Sequence, residues 1–351
     1  MQIHQQVPLA PLTTFQVGGP ARYFAEARSE GDVRAAVAEV RNRGWPLFVL
    51  GGGSNLVISD AGWPGLVVKI ALTGVSERRR DGTCMLFEAA AGEDWDSFVA
   101  HAVARNCAGI ECLSGIPGTV GGAPVQNVGA YGQEVSETVT KVRVLDTASG
   151  EICELENADS GFAYRTSIFN ARERGRYIVL RVTFALVPGG PARIGYADLK
   201  RHFAGRGGPP TLAETREAVR SIRLSKAMLI VPGDDDCRSA GSFFKNPLLT
   251  REAFDQLQAH AGPVPNFPEK NGMVKVAAAW LVEHAGFTKG LARGPVGISR
   301  RHALAIVNRG GATAADIVAL KNEIQQRVLD HFGIELQPEP VFVGFDQLNL
   351  R

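Results

Sequence analysis

Glycine clusters constrain this sequence more than any other feature. The 351 residues include 40 glycines, roughly half again the usual share in soluble proteins. Two clusters stand out: Gly51-Gly52-Gly53-Ser54-Asn55-Leu56, which follows the apolar run Leu47–Leu50, and the stretch from Gly115 to Gly132. Because glycine lacks a Cβ atom, its backbone reaches positive φ and lets a large ligand approach the main chain. Either loop alone could be a set of tight turns, but two together indicate a diphosphate-containing cofactor held against backbone.

The first loop does not match the known phosphate-binding fingerprints. Leu56 stands where the pattern G-x-G-x-x-G has its third glycine, and a strand, Gly65–Val68, follows where a helix is required. The pattern G-x-x-x-x-G-K-[ST] does not occur in the sequence, which excludes a P-loop ATPase at the level of motif. What remains is a loop whose backbone amides cradle a phosphate without a helix dipole.

Composition and charge exclude several classes of protein. Hydrophobic residues make up 45% of the chain and charged residues 21%, and the net charge is +2. That balance is typical of a globular protein and argues against a nucleic-acid or membrane-surface partner, so Arg78-Arg79-Arg80 is predicted to be a solvated turn. The sequence has no run of eighteen apolar residues, and Met1–Thr14 lacks the pattern of a signal peptide. We therefore expect a cytoplasmic protein without a membrane partner.

The five cysteines lack the spacing of a metal site. They contain no C-x-x-C pair and, being odd in number, cannot all be bridged. This fits a reducing cytosol and argues against zinc or an iron–sulfur cluster, so no metal is expected.

Patterning along the chain predicts mixed α and β structure. Ser29 with Asp32, and Thr313 with Asp316, form capping boxes ahead of amphipathic helices. Tyr177–Leu186 alternates as one long strand. Further elements are expected at 47–50 (strand), 94–106 (helix), 142–146 with 152–155 (hairpin) and 276–284 (helix). A break near residue 210 separates an N-terminal nucleotide-type unit from a second unit ending near 332, and the strand-like segment 340–345 could return to either.

Six motifs occur together in one order. They are Gly51-Gly52-Gly53-Ser54-Asn55-Leu56, Ile116-Pro117-Gly118-Thr119-Val120-Gly121-Gly122, Gln126-Asn127-Val128-Gly129-Ala130-Tyr131-Gly132, Tyr164-Arg165-Thr166-Ser167-Ile168-Phe169, Ala240-Gly241-Ser242-Phe243-Phe244-Lys245-Asn246-Pro247 and Gln337-Pro338-Glu339. In this order they resemble the UDP-N-acetylenolpyruvoylglucosamine reductase (MurB) family. The resemblance covers the chain from about residue 14 to residue 344.

The resemblance implies an α+β fold. We expect the FAD-binding fold of the vanillyl-alcohol-oxidase type, made of two α+β subdomains at 1–70 and 71–225, and an α/β substrate-binding C-terminal domain at 226–332. Segment 333–351 is a candidate to return to the first subdomain, and the protein is expected to be a monomer. The residues expected to bind FAD are Gly51, Gly52, Gly53, Ser54, Asn55, Leu56, Ile116, Pro117, Gly118, Thr119, Gly121, Gly122, Gln126, Asn127, Gly129, Ala130, Tyr131 and Gly132.

The resemblance also implies a reaction. NADPH would reduce FAD, and the hydride would pass to the vinyl group of UDP-N-acetylglucosamine enolpyruvate, giving UDP-N-acetylmuramate for peptidoglycan synthesis. The enolate formed on the way must be stabilised and then protonated. Arg165 matches the family's catalytic arginine, Ser242 its proton donor, and Glu339 the carboxyl group that assists the arginine. Spacing alone would favour a salt-bridged arginine, a loop serine and a surface carboxylate, so these roles depend on the resemblance.

Three more residues match the family's contacts with the sugar nucleotide. Tyr196 corresponds to the tyrosine that closes over the substrate in one of the family's two subtypes. Lys226 and Asn246 correspond to residues that contact the diphosphate, which needs positive charge and hydrogen-bond donors. Without the resemblance, the tyrosine could equally be a half-buried strand-end residue and the lysine an exposed one.

The sequence departs from the family pattern at a few positions. Asp234-Asp235-Asp236 lies in an extended loop, where three carboxylates could bind a cation but are usually solvated. Pro340 replaces a common branched aliphatic residue, and His302 stands where some members have glutamine.

Two other functions remain open from the sequence. An FAD oxidase that uses oxygen and a small alcohol or sugar would need the same glycine loops, but not Arg165, Ser242 and Glu339 together. A non-catalytic UDP-sugar-binding protein would keep Tyr196, Lys226 and Asn246 without flavin turnover.

Overall fold

The computed structural model describes residues 1–80, 82–269 and 272–345, which form two compact units. Unit 1 comprises Met1–Val7, Ala21–Gly53 and Trp63–Leu229. Unit 2 comprises Pro8–Pro20, Ser54–Gly62 and Ile230–Arg351. Each unit is therefore assembled from separate stretches of chain, and its sheets depend on pairings between residues that are far apart in sequence.

Helices and strands are interspersed along the whole chain. The helices are α1 (Glu30–Arg43), α2 (Trp95–Ala104), α3 (Ala197–His202), α4 (Leu212–Ser225), α5 (Arg251–Ala261), α6 (Ala278–His284) and α7 (Ala314–Phe332). The strands are β1 (His4–Pro8), β2 (Pro20–Ala27), β3 (Leu47–Leu50), β4 (Leu56–Ile58), β5 (Trp63–Ile70), β6 (Val75–Arg80), β7 (Cys84–Ala90), β8 (Cys107–Ala108), β9 (Gly129–Ala130), β10 (Gln133–Glu134), β11 (Val139–Asp146), β12 (Ile152–Glu156), β13 (Tyr177–Pro188), β14 (Leu248–Leu249), β15 (Asn266–Pro268), β16 (Val274–Val276), β17 (Ala292–Arg293), β18 (Val296–Ile298), β19 (Ile306–Asn308) and β20 (Val341–Val343).

Unit 1 contains two principal sheets. One has the order β1-β2-β5-β3, with β2 and β3 both parallel to β5. The other has the order β12-β11-β13-β7-β6 and is antiparallel, with β8 pairing on β13. The alternation predicted for Tyr177–Leu186 is confirmed, because Leu180, Val182, Phe184 and Leu186 are all buried on β13. Burying one phenylalanine in this way stabilises the fold by roughly 2–3 kcal/mol relative to exposure.

Helix ends in unit 1 follow from local sequence. Ser29 caps α1 by accepting a hydrogen bond from the Asp32 backbone, while the Asp32 carboxylate accepts one from the Ser29 N–H. Asp94 caps α2 through Ser97. The buried face of α2 packs on β13, where the rings of Phe98 and Phe184 lie 5.0 Å apart.

Unit 2 surrounds a second apolar core. Its short sheets have the orders β14-β16-β15 and β17-β18-β19, and β20 pairs in parallel with β4. Phe243 is fully buried, and its ring contacts the rings of Phe15, Phe244 and Phe342 at 5.3–6.3 Å between centroids. Helix α7 begins at the predicted Thr313/Asp316 capping box and ends at Gly333, whose φ of 66° stops the helix.

One local prediction was wrong. Arg78-Arg79-Arg80 does not form a turn but completes β6, which pairs with β7 from Val75 to Arg80. β6 is the last strand in this sheet order, and charged residues such as Arg78 and Arg79 suit an edge because they discourage pairing with another chain. The pairing partner lies across a reversal of the chain, so nothing within the three arginines indicates a strand.

Two features are absent from the described part of the chain. Over 1–80, 82–269 and 272–345, no helix combines the length and apolarity that crossing a bilayer requires. In the same ranges, His, Cys, Asp and Glu side chains do not gather in groups of three or more suited to a metal ion.

Candidate functional site

The two glycine loops meet in unit 1. Gly51 and Gly52 follow β3, and they lie directly against Gly118 and Thr119 of the second loop. A Cβ atom at Gly52 would sit 2.6 Å from the Gly118 Cα, and one at Gly51 would sit 3.0 Å from the Thr119 Oγ1. Only glycine therefore allows this backbone approach, and Gly53 and Gly118 also have positive φ values of 65° and 137°.

At the start of the second loop, both the N–H and the carbonyl of Gly115 are hydrogen-bonded to side chains. The Asp96 carboxylate on α2 accepts a hydrogen bond of 2.6 Å from the Gly115 N–H, and the Arg223 guanidinium on α4 donates one of 3.0 Å to the Gly115 carbonyl. Asp96 also pairs with Arg216 and Arg220 on α4. Burial alone would raise the pKa of Asp96, but the hydrogen bond from Arg216 and that from Gly115 outweigh it and keep the pKa below its usual value.

Residues 126–132 are fixed by a second set of hydrogen bonds. The buried Asn127 side chain donates to Glu134 and to the Ala163 carbonyl, at 2.8 and 3.0 Å. Asn127 and Tyr131 both have positive φ, at 46° and 49°. Burial raises the pKa of Tyr131 to about 12, so this phenol stays protonated as a donor at neutral pH.

Arg165 lies beside this loop. It occupies a tight turn with φ of 54°, closed by mutual hydrogen bonds between Ala163 and Thr166. A Cβ atom at Gly129 would lie 3.4 Å from the Arg165 Nη1, so the guanidinium lies next to the open face of this glycine. The sequence-derived cofactor loop and the candidate catalytic arginine are thus neighbours in unit 1.

Tyr196 and Lys226 are also brought together in unit 1. Tyr196 precedes α3 and presents its ring edge-on to Tyr131, with 5.4 Å between centroids. Lys226 ends α4, and its ammonium group donates to Asp198 on α3 at 2.5 Å. Asp198 therefore joins the helix that carries the tyrosine to the helix that carries the lysine.

Ser242 and Glu339 lie on adjacent segments of unit 2. The Glu339 N–H donates to the Phe243 carbonyl at 2.8 Å, and the Lys245 N–H donates to the Gln337 carbonyl at 2.9 Å. These bonds run the serine segment antiparallel to the glutamate segment. Pro340, which has no N–H, leaves this pairing intact because both bonds use residues that precede it, Gln337 and Glu339.

Asn246 lies four residues after Ser242 and has one structural role already. Its Oδ1 accepts a hydrogen bond of 2.9 Å from the Ala278 N–H at the start of α6. The side-chain NH₂ group is therefore the part of Asn246 that can donate to a ligand.

The acidic triplet is paired with arginines. Asp235 and Asp236 pair with Arg300 and Arg301, and Asp234 also pairs with Arg301. The expectation of solvated carboxylates is wrong for Asp236, whereas Asp234 and Asp235 remain partly exposed. Asp236 is 2% exposed. Burial alone would raise its pKa, but hydrogen bonds from the Arg300 N–H, Ser299 and Arg301 hold the pKa below its usual value.

Comparison with known proteins decides the family. Residues 232–343 match the C-terminal domain of UDP-N-acetylenolpyruvoylglucosamine reductase, and residues 21–156 match an FAD binding domain. The UDP-N-acetylenolpyruvoylglucosamine reductase of Thermobifida fusca is 47% identical over 349 residues, which are 97% of this chain and 98% of that protein. The chain belongs to the UDP-N-acetylenolpyruvoylglucosamine reductase family.

A second relative and a crystal structure from the same family also match this chain over nearly its whole length. The UDP-N-acetylenolpyruvoylglucosamine reductase of Streptomyces coelicolor is 48% identical over 347 residues, covering 96% of this chain and 89% of the relative. The crystal structure of the enzyme from Thermus caldophilus aligns with a TM-score of 0.66 at 25% identity, covering 98% of this chain and 99% of that one. The predicted α+β fold is confirmed, with an FAD binding domain followed by a C-terminal domain of the UDP-N-acetylenolpyruvoylglucosamine reductase type. The protein is an oxidoreductase of the UDP-N-acetylenolpyruvoylglucosamine reductase family.

The glycine cradle fits the FAD that this family's FAD-binding domain implies. The Thr119 Oγ1 is buried and has no hydrogen-bond partner among the described residues. A buried hydroxyl without a partner costs free energy unless a ligand satisfies it. It lies where the two loops approach most closely, so backbone amides and one free hydroxyl are available to a diphosphate.

The site residues are divided between the two units. Arg165, Tyr196 and Lys226 belong to unit 1, whereas Ser242, Asn246 and Glu339 belong to unit 2, and the first glycine loop passes from one to the other after Gly53. Sequence reasoning did not single out Asp96, Asp198 and Arg223, although each contacts a site segment. Single charged residues inside helices carry no motif, so only the fold reveals their partners.

Proposed function

We propose that the protein uses NADPH to reduce UDP-N-acetylglucosamine enolpyruvate to UDP-N-acetylmuramate. One hydride from NADPH and one proton add across the vinyl double bond, and NADP⁺ is released. The observation that carries the proposal is the pairing of the Ser242 segment with the Glu339 segment in a chain that matches this family from end to end. This reaction makes a peptidoglycan precursor, so the protein would serve cell-wall biogenesis, cell shape and cell division in the cytoplasm.

FAD would be held by the two glycine loops and the 126–132 loop. The backbone amides of the two loops would hold the diphosphate where Gly52 packs on Gly118, and the Thr119 hydroxyl would supply a donor. When bound, FAD supplies the hydride relay between the nicotinamide and the substrate. The full set of expected contacts comprises Gly51–Leu56, Ile116–Thr119, Gly121, Gly122, Gln126, Asn127 and Gly129–Gly132.

Three residues would then stabilise the negative charge of the enolate and supply the proton that ends the reaction. Arg165 binds the substrate carboxylate through its guanidinium, whose charge is permanent and whose geometry suits two-point contact. Glu339 assists Arg165 in stabilising the enolate. Ser242 delivers its hydroxyl proton to the carbon next to the carboxylate, which completes reduction.

The sugar nucleotide would be bound by Tyr196, Lys226 and Asn246. The exposed Tyr196 ring is 40% accessible and so is free to cover a ligand, as in the subtype with a substrate-closing tyrosine. Lys226 and the Asn246 NH₂ group supply charge and donors for the diphosphate. We further propose a monomer with FAD-binding subdomains at 1–70 and 71–225 and a substrate-binding domain at 226–332.

The direct test is NADPH consumption by the purified yellow protein under nitrogen. We expect stoichiometric oxidation that requires UDP-N-acetylglucosamine enolpyruvate. Yellow protein without substrate-dependent turnover would favour the oxidase alternative, and addition of oxygen with small alcohols or sugars would then show activity. A protein that binds UDP but never turns over would favour the binding-protein alternative, and a protein that takes up no FAD would rule out the flavoenzyme.

Ser242→Ala tests the proton donor. Reduction of the flavin by NADPH should stay near the wild-type rate, because that half-reaction does not use the serine. Reoxidation by the enolpyruvate should slow by roughly 10²–10⁴-fold, the usual contribution of a positioned general acid. Anaerobic stopped-flow absorbance separates the two half-reactions, and equal slowing of both would show that Ser242 is structural.

A further inference from the structure

Asp236 occupies a closed frame of hydrogen bonds that includes the Ser242 segment. Its carboxylate accepts three hydrogen bonds from one turn: 2.8 Å from the Ser299 hydroxyl, 3.0 Å from the Arg300 N–H and 3.2 Å from the Arg301 Nε. Ser299 is fully buried and Asp236 is 2% exposed. A buried carboxylate with three donors is held far more rigidly than a solvated one.

The same turn contacts the far end of the serine segment. The Phe243 N–H donates to the Leu304 carbonyl at 2.8 Å, and the Arg238 carbonyl accepts 3.0 Å from the Asn308 N–H. The segment 236–243 is therefore held at three points: Asp236 at residues 299–301, Arg238 at Asn308 and Phe243 at Leu304. We call this arrangement the Asp236 frame.

Ser242 lies inside the frame, immediately before the Phe243 anchor. Gly241 precedes it with φ of 76°, a conformation open mainly to glycine, so the direction of the serine depends on how residues 237–241 are held. Ser239 contributes by accepting 3.2 Å from the Gly241 N–H on its hydroxyl and 2.6 Å from Thr14 on its carbonyl. Loss of the Asp236 contacts would release both the start of this segment and the turn that receives Phe243.

We propose that Asp236 is a positioning residue that fixes the Ser242 hydroxyl through this frame. The acidic triplet thereby gains a function: one buried carboxylate orders the proton-donor segment, while Asp235 pairs with the Arg300 guanidinium at the surface, at 3.1 Å. Asp235 and Asp236 are adjacent carboxylates that differ in burial, since Asp236 is buried and Asp235 is partly exposed. Substitutions at the two positions therefore form a matched pair of variants.

The test compares Asp236→Asn with Asp235→Asn in the FAD-loaded protein. A misplacement of about 1 Å can slow a reaction 10²-fold, so we expect Asp236→Asn to slow flavin reoxidation by the enolpyruvate at least roughly tenfold. Reduction by NADPH should change less than about twofold, since only the proton-transfer half-reaction uses Ser242. Asp235→Asn should change neither rate beyond about twofold.

Two further measurements separate positioning from general damage. In a Ser242→Ala background, Asp236→Asn should add less than about a twofold loss, because residues acting through one group are not additive. Hydrogen exchange of the Phe243 amide should accelerate roughly tenfold in Asp236→Asn and not in Asp235→Asn. Ser299→Ala removes one donor to Asp236, together with the hydroxyl that accepts from the Arg301 and His302 N–H groups, and repeats the comparison if Asp236→Asn does not fold.

The inference rests on the proposed function, and the outcomes keep the two apart. If the enolpyruvate does not reoxidise the reduced flavin of the wild-type protein, the proposed reaction is refuted. The hydrogen-exchange rates of the Phe243 amide in the two aspartate variants would still test the Asp236 frame. An unchanged Phe243 exchange rate would overturn the frame at any activity. Equal slowing of both half-reactions, or a full additional loss in the Ser242→Ala background, would overturn the positioning of Ser242.

Discussion

At the scale of single residues, the site depends on atoms whose roles become clear only from their surroundings. The Thr119 Oγ1 is buried without a partner among the described residues, whereas the Thr138 hydroxyl, also buried, donates to the Val135 carbonyl at 3.2 Å. The sequence predicted that residue 119 lies in a cofactor loop, from glycine content and resemblance. It could not predict which hydroxyl is left for a ligand, because that depends on packing between loops distant in sequence.

Thr119→Val should weaken FAD binding without destabilising the flavin-free protein. The variant removes one hydrogen bond to the ligand, worth about 1 kcal/mol, so the FAD dissociation constant should rise roughly fivefold. Titration of flavin fluorescence measures the constant, and urea unfolding measures stability. Thr138→Val is the control with the opposite signature, because it loses an internal hydrogen bond and should lower stability with FAD affinity unchanged. Loss of stability in Thr119→Val would mean that its hydroxyl serves the fold.

Gly52→Ala should damage the cradle itself. The new Cβ would meet the Gly118 Cα at 2.6 Å, and backbone cannot move aside cheaply. Overpacking of this kind costs roughly 1–3 kcal/mol, so we expect a lower midpoint of unfolding and protein that purifies with little FAD. Gly31→Ala, in the first turn of α1 and outside the expected FAD contacts, is the control, since its Cβ would lie 3.6 Å from the Ser29 Oγ. A Gly52→Ala protein that retains FAD at the level of the control would contradict the cradle.

At the scale of elements, local signals predicted some helices and missed others that carry equally clear local signals. α1, α2 and α7 follow from caps and from buried Val, Ile, Leu and Phe at helical spacing. α4 was missed although it has an equivalent capping box, Thr211 with Glu214, and a clearly amphipathic sequence that buries Leu212, Ala218 and Val219. β6 was missed because its strand depends on pairing with β7.

The capping box of α4 should make stability depend on acid pH. Hydrogen bonds from the Thr211 N–H and hydroxyl, with the Arg206 guanidinium, lower the pKa of Glu214 from 4.5 to about 2. A depressed carboxyl pKa contributes stability above the unfolded value, and that contribution disappears as pH falls from 4.5 towards 2. Glu214→Gln should therefore be less stable than wild type at neutral pH, with the difference shrinking across this window.

Urea unfolding at several pH values provides the measurement for this cap. Glu217→Gln, which changes an exposed carboxylate on the same helix, is the control. Its difference from wild type in the free energy of unfolding should not shrink between pH 4.5 and pH 2. A Glu214→Gln difference that is constant from neutral pH down to the acid limit would show that the carboxylate charge does not support the cap.

At the scale of the whole molecule, residues assigned to one chemistry come from two separately packed units. The first glycine loop begins in unit 1 with Gly51–Gly53 and continues in unit 2 with Ser54–Leu56, which leads into β4. The sequence predicted the motifs and, through resemblance, the fold class. Through resemblance, segment 333–351 was also a candidate to return to residues 1–70. The sequence could not predict β4 as its partner, because parallel pairing of two three-residue strands 285 positions apart leaves no local pattern.

FAD should stabilise the unit that carries the cradle, with a free energy that grows with the logarithm of the free FAD concentration. Binding to the native state alone adds about 2.7 kcal/mol to unfolding at a free ligand concentration of 100 times the dissociation constant. Three tryptophans, Trp45, Trp63 and Trp95, lie in unit 1, and the fourth, Trp280, lies in unit 2. In Trp280→Phe, tryptophan fluorescence therefore reports on unit 1, and its urea midpoint should rise with added FAD. The same titration in a Thr119→Val background should need roughly fivefold more FAD for an equal rise. A urea midpoint that does not change with added FAD in either protein would mean that the glycine cradle of unit 1 does not hold the cofactor.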